Sequence, residues 1–308
     1  MTTSAPRIES EGLRVPAGVA GELTTPRHTF VSDAWQRLKR NRMAMVGLVV
    51  ILALFVIALL ADVLAPYDPL KTDLAISHEP PSAAHPLGTD IQGRDVLSRL
   101  IFGTRVSLLV GFLPQFVSLF MAMLLGLVSG YYGGWIDDLI MRLADAFFAF
   151  PSLLFMMALM FVLGPSGGLV GIIVGLGVVG WAGRARIMRS QVLSVKERVY
   201  IDAAHAIGVP TARIIARHIL PNCLAPLIVT TTMAIPGAIM AEAGLSFIGL
   251  GVPPPTPTWG QMLYTGRAYL REMPWLSIWP GLAIFITVLS FNLFGDGLRD
   301  ALDPYLKR

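Results

Sequence analysis

Residues 43–61, MAMVGLVVILALFVIALLA, form the stretch that decides the fold class. They contain no charged side chain, and about 20 apolar residues are enough for a helix to cross a hydrocarbon core of roughly 30 Å. The apolar pattern continues past Asp62 to Ala65. The preceding segment, RLKRNR at 37–42, carries four basic residues, which predicts that this end of the helix lies in the cytoplasm.

The composition is that of an integral membrane protein. Of the 308 residues, 54% are hydrophobic and only 14% are charged, whereas soluble domains have about 25% charged residues. The single cysteine, Cys223, excludes an intrachain disulfide. No lysine follows a glycine, so the sequence has no G-K-[ST] phosphate-binding loop. Any ATP that the protein uses must therefore be bound by another chain.

Five further apolar stretches are predicted to cross the membrane by the same criterion. They are residues 106–129, 143–163, 169–183, 224–241 and 278–293. The prediction is an all-α, polytopic membrane protein with about six transmembrane helices and both termini in the cytoplasm. On this topology 18 of the 24 basic residues lie in the cytoplasm and six lie outside, as the positive-inside rule requires. Arg184, Arg186 and Arg189, just past the fourth stretch, are expected to extend to the membrane interface.

The predicted helices divide the chain into four segments. Residues 1–33 are a cytoplasmic tail whose polar composition predicts disorder. Residues 34–105 hold the first transmembrane helix and an extracytoplasmic loop, and residues 106–297 form the core transmembrane domain. Residues 298–308 are a cytoplasmic C-terminal tail. The core contains one long cytoplasmic loop, residues 190–221, and this loop is the most informative part of the sequence.

The loop is predicted to form two short amphipathic helices joined by Gly208-Val209-Pro210. Glycine suits the position just past a helix end, and proline suits the first turn of the next helix. Val199, Ala203 and Ala206 share one apolar face of the first helix. A rigid helical bend of this kind favours docking to a soluble partner. The alternative, a helix lying on the lipid surface, usually carries bulky aromatic residues.

A glycine series near the fourth predicted span invites two interpretations. Residues 175–180 match G-x-G-x-x-G, but this dinucleotide-binding pattern needs a preceding strand, and here it lies in an apolar helical run. Gly167, Gly171 and Gly175 recur every four residues, which predicts close packing against a neighbouring helix.

Several polar residues close to the spans are candidate sites. Asp145 follows Arg142 by three residues, which predicts a local helical ion pair. Glu242 ends the fifth span, either packed in a hydrogen-bonded structural role or lining a pathway. Thr231 and Asn292 are candidate polar contacts along the same pathway. The sequence offers no credible catalytic nucleophile, base or metal-ligand set, so neither an enzyme nor a metal site is predicted.

The loop also resembles a known family. Asp202-Ala203-Ala204, Gly208 and Leu220-Pro221 are similar to the EAA loop of binding-protein-dependent ABC importer permeases, although Asp202 stands where that family usually has glutamate. Three further motifs resemble the C-type permease of its dipeptide/oligopeptide (peptide/nickel) branch, and together the resemblance covers about residues 34–306. They are HPLGTD at 85–90 with GRD at 93–95, AEAGLSF at 241–247 and FNLFGDGLRD at 291–300.

The resemblance implies a type I ABC importer permease in the inner membrane of a prokaryote. Its expected partners are a second homologous permease chain, two ATP-binding subunits that bind ATP and Mg²⁺, and an extracytoplasmic substrate-binding protein. No nucleic-acid partner and no cofactor in this chain are expected. The six loop residues named above would couple the chain to the ATPase. The cargo would be a dipeptide or oligopeptide, or alternatively nickel or another metal chelate, glutathione, or a sugar oligomer. An ion-gradient-driven transporter is the remaining alternative, and it would need ionisable residues in mid-span.

Overall fold

The computed structural model describes residues 30–164 and 167–302, and most of the predicted tail 1–33 lies outside them. Residues 30–33 form the first turn of a helix. The described part of the chain is helical and loop, without a strand beyond an isolated bridge between Thr89 and Asp95. Its α-helices are α1 (Phe30–Arg40), α2 (Arg42–Leu59), α3 (Ala61–Leu64), α4 (Val96–Tyr132), α5 (Gly134–Ala149), α6 (Ser152–Leu163), α7 (Gly168–Lys196), α8 (Val199–Ala206), α9 (Thr211–Ile214), α10 (Leu220–Phe247), α11 (Trp259–Gly266) and α12 (Trp275–Leu302).

Five helical segments in the described residues are long and apolar enough to cross a membrane. They are α2, α4, α7, the segment from α9 through α10, and α12. The helices α5 and α6 meet the same criterion only when they are taken as one span, which is bent by 89° at the break between them and would bring the number of crossings to six. The predicted all-α, polytopic architecture is therefore confirmed. The third predicted span, 143–163, is interrupted within the bent pair: Phe150 is extended, and Pro151, which has no amide N–H to continue the helix, precedes α6.

The centre of the bundle is the parallel pair α4 and α7. A Cβ added at Gly126 of α4 would lie 2.5 Å from the Ala185 carbonyl oxygen of α7, and one at Gly130 would lie 2.8 Å from the Val192 Cβ. Glycine at these positions lets the two backbones approach more closely than any other residue would. The helix α10 runs antiparallel to this pair, so that Ile239 packs on Gly111.

The remaining helices complete the bundle and define its two ends. At one end Leu38 of α1, Ala44 of α2 and Ala301 of α12 pack together. The same end carries α8 and α9, and we call it the elbow end. The opposite end, which we call the loop end, carries residues 65–95 and α11. Both ends of the described chain therefore lie at the elbow end, as six crossings require.

The glycine series packs against α6. A Cβ at Gly171 would lie 3.1 Å from the Leu163 side chain, and one at Gly175 would lie 2.7 Å from the Leu159 side chain. The predicted helix packing is confirmed for these two positions. In the described residues this segment lies inside α7 with no strand before it, so it lacks the setting that dinucleotide binding needs.

Two predictions about charged residues are wrong. Asp145 pairs with Arg186 of α7 and not with Arg142 of its own helix, because α5 packs along α7 and brings the two side chains together. Arg184 does not extend to the interface. Its buried guanidinium donates hydrogen bonds to the side chains of Ser118 and Gln115 in α4.

The α4–α7 contact gives a stability prediction. The substitution Gly126→Ala places a methyl group against a backbone carbonyl that cannot move alone, and overpacking of this kind costs about 1–3 kcal/mol. We expect a lower thermal unfolding midpoint of the purified protein, measured in detergent micelles. The matched control is Gly281→Ala, whose added Cβ lies no closer than 3.8 Å to its nearest neighbour. Equal midpoints for the two variants would contradict the proposed contact.

Candidate functional site

The bend at the elbow end is built around Gly208. We call α8, the turn at 207–210 and α9 the elbow. Gly208 has a φ of +76°, a left-handed conformation that glycine adopts without strain. Its amide donates to the His205 carbonyl at 2.9 Å, and the Val209 amide donates to the Ala204 carbonyl at 3.0 Å. These two bonds form a Schellman motif, so the predicted helix–glycine–helix arrangement is confirmed.

The inner side of the elbow is anchored in the bundle. Ile201 and Ala204 of α8 and Ile214 of α9 are buried in one cluster with Val192 of α7 and Leu227 of α10. Each buried Val, Leu or Ile side chain contributes roughly 1.5–3 kcal/mol of burial free energy relative to exposure to water. The elbow is therefore fixed to both of the transmembrane helices that flank it.

The outer side of the elbow exposes apolar and acidic side chains. Val199 is 82% exposed and Ile207 is 80% exposed. Asp202 and Ala203 are exposed beside them, and a Cβ at Gly208 would meet nothing within 4 Å. The apolar face predicted from sequence thus points away from the protein, and Ala204, predicted as a docking residue, lies on the inner side. Exposed aliphatic groups on a rigid support are typical of a protein-binding surface.

The second half of the elbow continues directly into a transmembrane helix. Residues Ile215–Ile219 form a π-helical turn between α9 and α10. Leu220 is half-buried at the start of α10, and the exposed Pro221 occupies its first turn, where proline needs no amide partner. Before the elbow, at the end of α7, the Lys196 ammonium donates to the Tyr131 carbonyl of α4 at 2.7 Å. The elbow is therefore connected along the chain to α7 at one end and to α10 at the other.

Glu242, a candidate pathway residue, lies at the loop end and is only 1% exposed. Its carboxylate accepts a hydrogen bond from the Ser246 hydroxyl at 2.8 Å and another from the Thr258 hydroxyl at 2.9 Å. The Thr258 hydroxyl in turn accepts from the Gln261 amide at 3.0 Å and caps α11. These contacts fasten α11 to α10, which favours the structural alternative for Glu242.

The other two candidate pathway residues lie apart from Glu242. Thr231 precedes it by 11 positions on α10, a distance of about 16 Å along a helix. The Thr231 hydroxyl is buried without a hydrogen-bond partner among the described residues. Asn292 is exposed on α12. The three residues therefore form no single cluster, and their role in a pathway stays a prediction.

The sequence analysis missed a buried polar network at the loop end. The buried Arg99 side chain donates to the Gln261 side-chain oxygen and to the Pro69 carbonyl, both at 3.1 Å. It also lies 3.6 Å from the Asp90 carboxylate, which accepts a 2.7 Å bond from Arg94. Asp90 and Arg94 belong to the motif at 85–95, which entered above only as part of the family resemblance. The opposite charges of these two residues, four positions apart, are the sequence signal for this network.

The carboxylate at position 242 can be tested as a hydrogen-bond acceptor. Glu242→Ala leaves two buried hydroxyl groups without their acceptor, at a cost of about 1–3 kcal/mol each. Glu242→Gln keeps an acceptor oxygen and should lose less stability. We expect the thermal unfolding midpoint of the purified protein to fall in the order wild type, glutamine variant, alanine variant. Equal losses in both variants would show that the charge, and not the acceptor geometry, matters.

Comparison with known families agrees with this architecture. Residues 122–308 match the family of binding-protein-dependent transport system inner membrane components. Residues 29–81 match the N-terminal TM domain of oligopeptide transport permease C. The first match contains the elbow and the second contains α1 and α2, while residues 82–121 lie in neither.

Individual relatives align over nearly the whole chain. The dipeptide transport system permease protein DppC of Alkalihalophilus pseudofirmus is 43% identical over 91% of this chain and 93% of its own. The oligopeptide transport system permease protein OppC of Bacillus subtilis is 39% identical over 98% of this chain and 99% of its own. The glutathione transport system permease protein GsiD of Pectobacterium atrosepticum is 42% identical over 89% and 91%. The chain therefore belongs to the family of binding-protein-dependent transport system inner membrane components, as a multi-pass membrane protein of the permease C type.

Proposed function

We propose that this chain forms half of the translocation pathway of an ATP-driven importer for dipeptides or oligopeptides. A second, homologous permease supplies the other half, two ATP-binding subunits supply the energy, and an extracytoplasmic binding protein delivers the cargo. The ATP and its Mg²⁺ bind to the ATPase subunits, and this chain contributes no catalytic residue. Its part is to convert a movement of the elbow into a movement of its transmembrane helices.

The observation that carries the proposal is the anchored elbow with an exposed outer face. Asp202, Ala203 and Ile207 are exposed on one side, while Ile201 and Ile214 are buried on the other. A docked ATPase subunit would cover the exposed side. Because the buried side joins α7 to α10, closure of the ATPase subunits would tilt these helices as rigid bodies. Asp202 keeps the negative charge of the usual glutamate with a shorter reach.

The names of the relatives support a peptide as the cargo. DppC and OppC are named as dipeptide and oligopeptide permeases, and GsiD is named as a glutathione permease. Glutathione is itself a tripeptide, so the common chemistry is a small zwitterion with amide bonds. Glutathione is therefore the second candidate cargo. The names of these relatives give no support to nickel or another metal chelate as the cargo.

An ion-gradient-driven transporter remains a weaker alternative. Such a transporter needs ionisable residues in mid-span, and Arg184 is an ionisable residue buried within α7. Arg184 is nevertheless a poor proton carrier, since an arginine side chain stays protonated in proteins. We expect vesicles that contain ATP and have no ion gradient to take up cargo. Uptake that needs an ion gradient and no ATP would favour the alternative.

The coupling role of the elbow can be tested at Gly208. We expect Gly208→Val to leave the complex assembled and able to hydrolyse ATP, but to uncouple hydrolysis from uptake. A β-branched residue in this left-handed conformation costs about 1–2 kcal/mol and would shift the elbow angle. A cost of roughly 1 kcal/mol lowers the population of the native elbow angle relative to other angles about fivefold. We therefore expect uptake per ATP hydrolysed to fall at least about fivefold.

The matched control is Gly208→Asn, because asparagine tolerates the left-handed conformation. Added side chains meet no other atom of this chain within 4 Å at this position, so within the chain the two variants differ mainly in backbone strain. The asparagine variant should transport nearly as well as wild type. Normal coupled transport in the valine variant would exclude the proposed role of the elbow angle.

A further inference from the structure

A cavity of about 390 Å³ lies at the loop end between α6, α10 and α11. Its walls are mainly apolar and include Met160 and Phe161 of α6, Val252 and Pro253 of the loop after α10, and Tyr264 of α11. Small-molecule sites typically have volumes of roughly 300–1,000 Å³ and apolar walls with a few precisely placed polar groups. The cavity therefore has the size and the lining of a site for a small ligand.

The lining also includes two buried polar side chains, Ser246 and Gln261. The Ser246 hydroxyl donates to the Glu242 carboxylate, so its proton is already used. Gln261 is only 8% exposed, and its side-chain oxygen accepts a hydrogen bond from Arg99. Because a guanidinium group can only donate, this contact fixes which end of the amide faces Arg99. The amide nitrogen of Gln261 donates to no group among the described residues, so it is left to donate to an oxygen atom in the cavity.

A guanidinium group is held beside the cavity. Arg267 lies over the Tyr264 ring, 4.5 Å from its centre, and 5.2 Å from the centre of the Phe247 ring. It also donates to the Phe247 carbonyl at 2.8 Å. Within the part of the chain that the structure describes, no carboxylate pairs with it. Since Tyr264 belongs to the cavity wall, these contacts place a positive charge at the rim, where it can bind a carboxylate.

These three features match the end of a peptide chain. The apolar cavity suits an aliphatic or aromatic side chain, the free donor of Gln261 suits a peptide carbonyl, and Arg267 suits a terminal carboxylate. A peptide with an apolar C-terminal residue carries all three groups on neighbouring atoms. The cavity also lies at the end of the bundle opposite the elbow, where a cargo delivered from outside the cell would first meet this chain.

We propose that this cavity binds the C-terminal residue of the peptide cargo and favours apolar side chains. The side chain fills the cavity, Gln261 donates to the preceding peptide carbonyl, and Arg267 pairs with the terminal carboxylate. The site rests on the importer function proposed above and adds to it a side-chain preference that belongs to this chain and not to the binding protein.

The site can be tested with a dipeptide whose C-terminal residue is a diazirine analogue of leucine. The complete transporter in proteoliposomes is irradiated with this peptide, and the labelled positions are identified by mass spectrometry. We expect label in α6 near Met160 or in residues 252–264, and we expect unlabelled alanyl-leucine to displace it. The C-terminally amidated form of alanyl-leucine has no carboxylate, so about fivefold more of it should be needed for the same displacement.

Two variants test the polar contacts. Arg267→Gln removes the positive charge and should lower the labelling about fivefold, the factor that a partly exposed ion pair can supply. The matched control is Arg271→Gln, which removes the same charge from an exposed arginine four positions later and should label like wild type. Gln261→Glu keeps an oxygen for Arg99 but cannot donate, so it should also lower the labelling. This second variant carries the test if Arg267→Gln does not assemble.

Three results would overturn the site. They are label only outside the cavity, equal displacement by the free and the amidated peptide, and displacement by added phospholipid but not by peptide. Peptide uptake by the same vesicles separates this failure from a failure of the proposed function. A transporter that takes up peptide without label in the cavity contradicts the site alone, whereas a transporter that takes up no peptide contradicts the proposed function as well.

Discussion

The hydrophobic cluster between the elbow and its two flanking helices is the contact on which the proposed coupling role of the chain depends. Ile201 and Ile214 lie at its centre, between Val192 of α7 and Leu227 of α10. Without this cluster, α8 and α9 would be a loose loop, and a force on them would be lost in local motion. With it, the elbow moves only together with two transmembrane helices. The turn at Gly208 adds a defined angle that no other residue adopts as easily.

The close approach of α4 and α7 has a different physical cause. Helices in lipid gain little from the hydrophobic effect against one another, so packing of small residues must hold them together. Gly126 and Gly130 provide that packing near the elbow end. Arg184 adds hydrogen bonds to Gln115 and Ser118 farther in. The pair can then transmit a tilt from the elbow towards the loop end, where Glu242 fastens α11 to α10.

Local sequence patterns predicted the elements of this fold well and their long-range contacts poorly. Hydropathy located the five long apolar segments, and the Gly-Val-Pro sequence at 208–210 located the elbow. Hydropathy could not show the bend at Phe150 and Pro151, since the apolar run continues through it. Spacing predicted a partner for Asp145 on its own helix, but the packing of α5 on α7 brought Arg186 closer. The partners of Arg99 lie up to 162 positions away, beyond any local pattern.

The central claim is that the exposed face of the elbow is held by a separate ATP-hydrolysing subunit. The most direct measurement places a photo-crosslinking amino acid at Ile207, which is 80% exposed, in the assembled transporter and identifies the crosslinked product by mass spectrometry. The account predicts a crosslink to the ATP-binding subunit, and none from the same probe placed at Leu74 in the loop-end segment. A crosslink from position 207 to the extracytoplasmic binding protein, or from position 74 to the ATP-binding subunit, would contradict it.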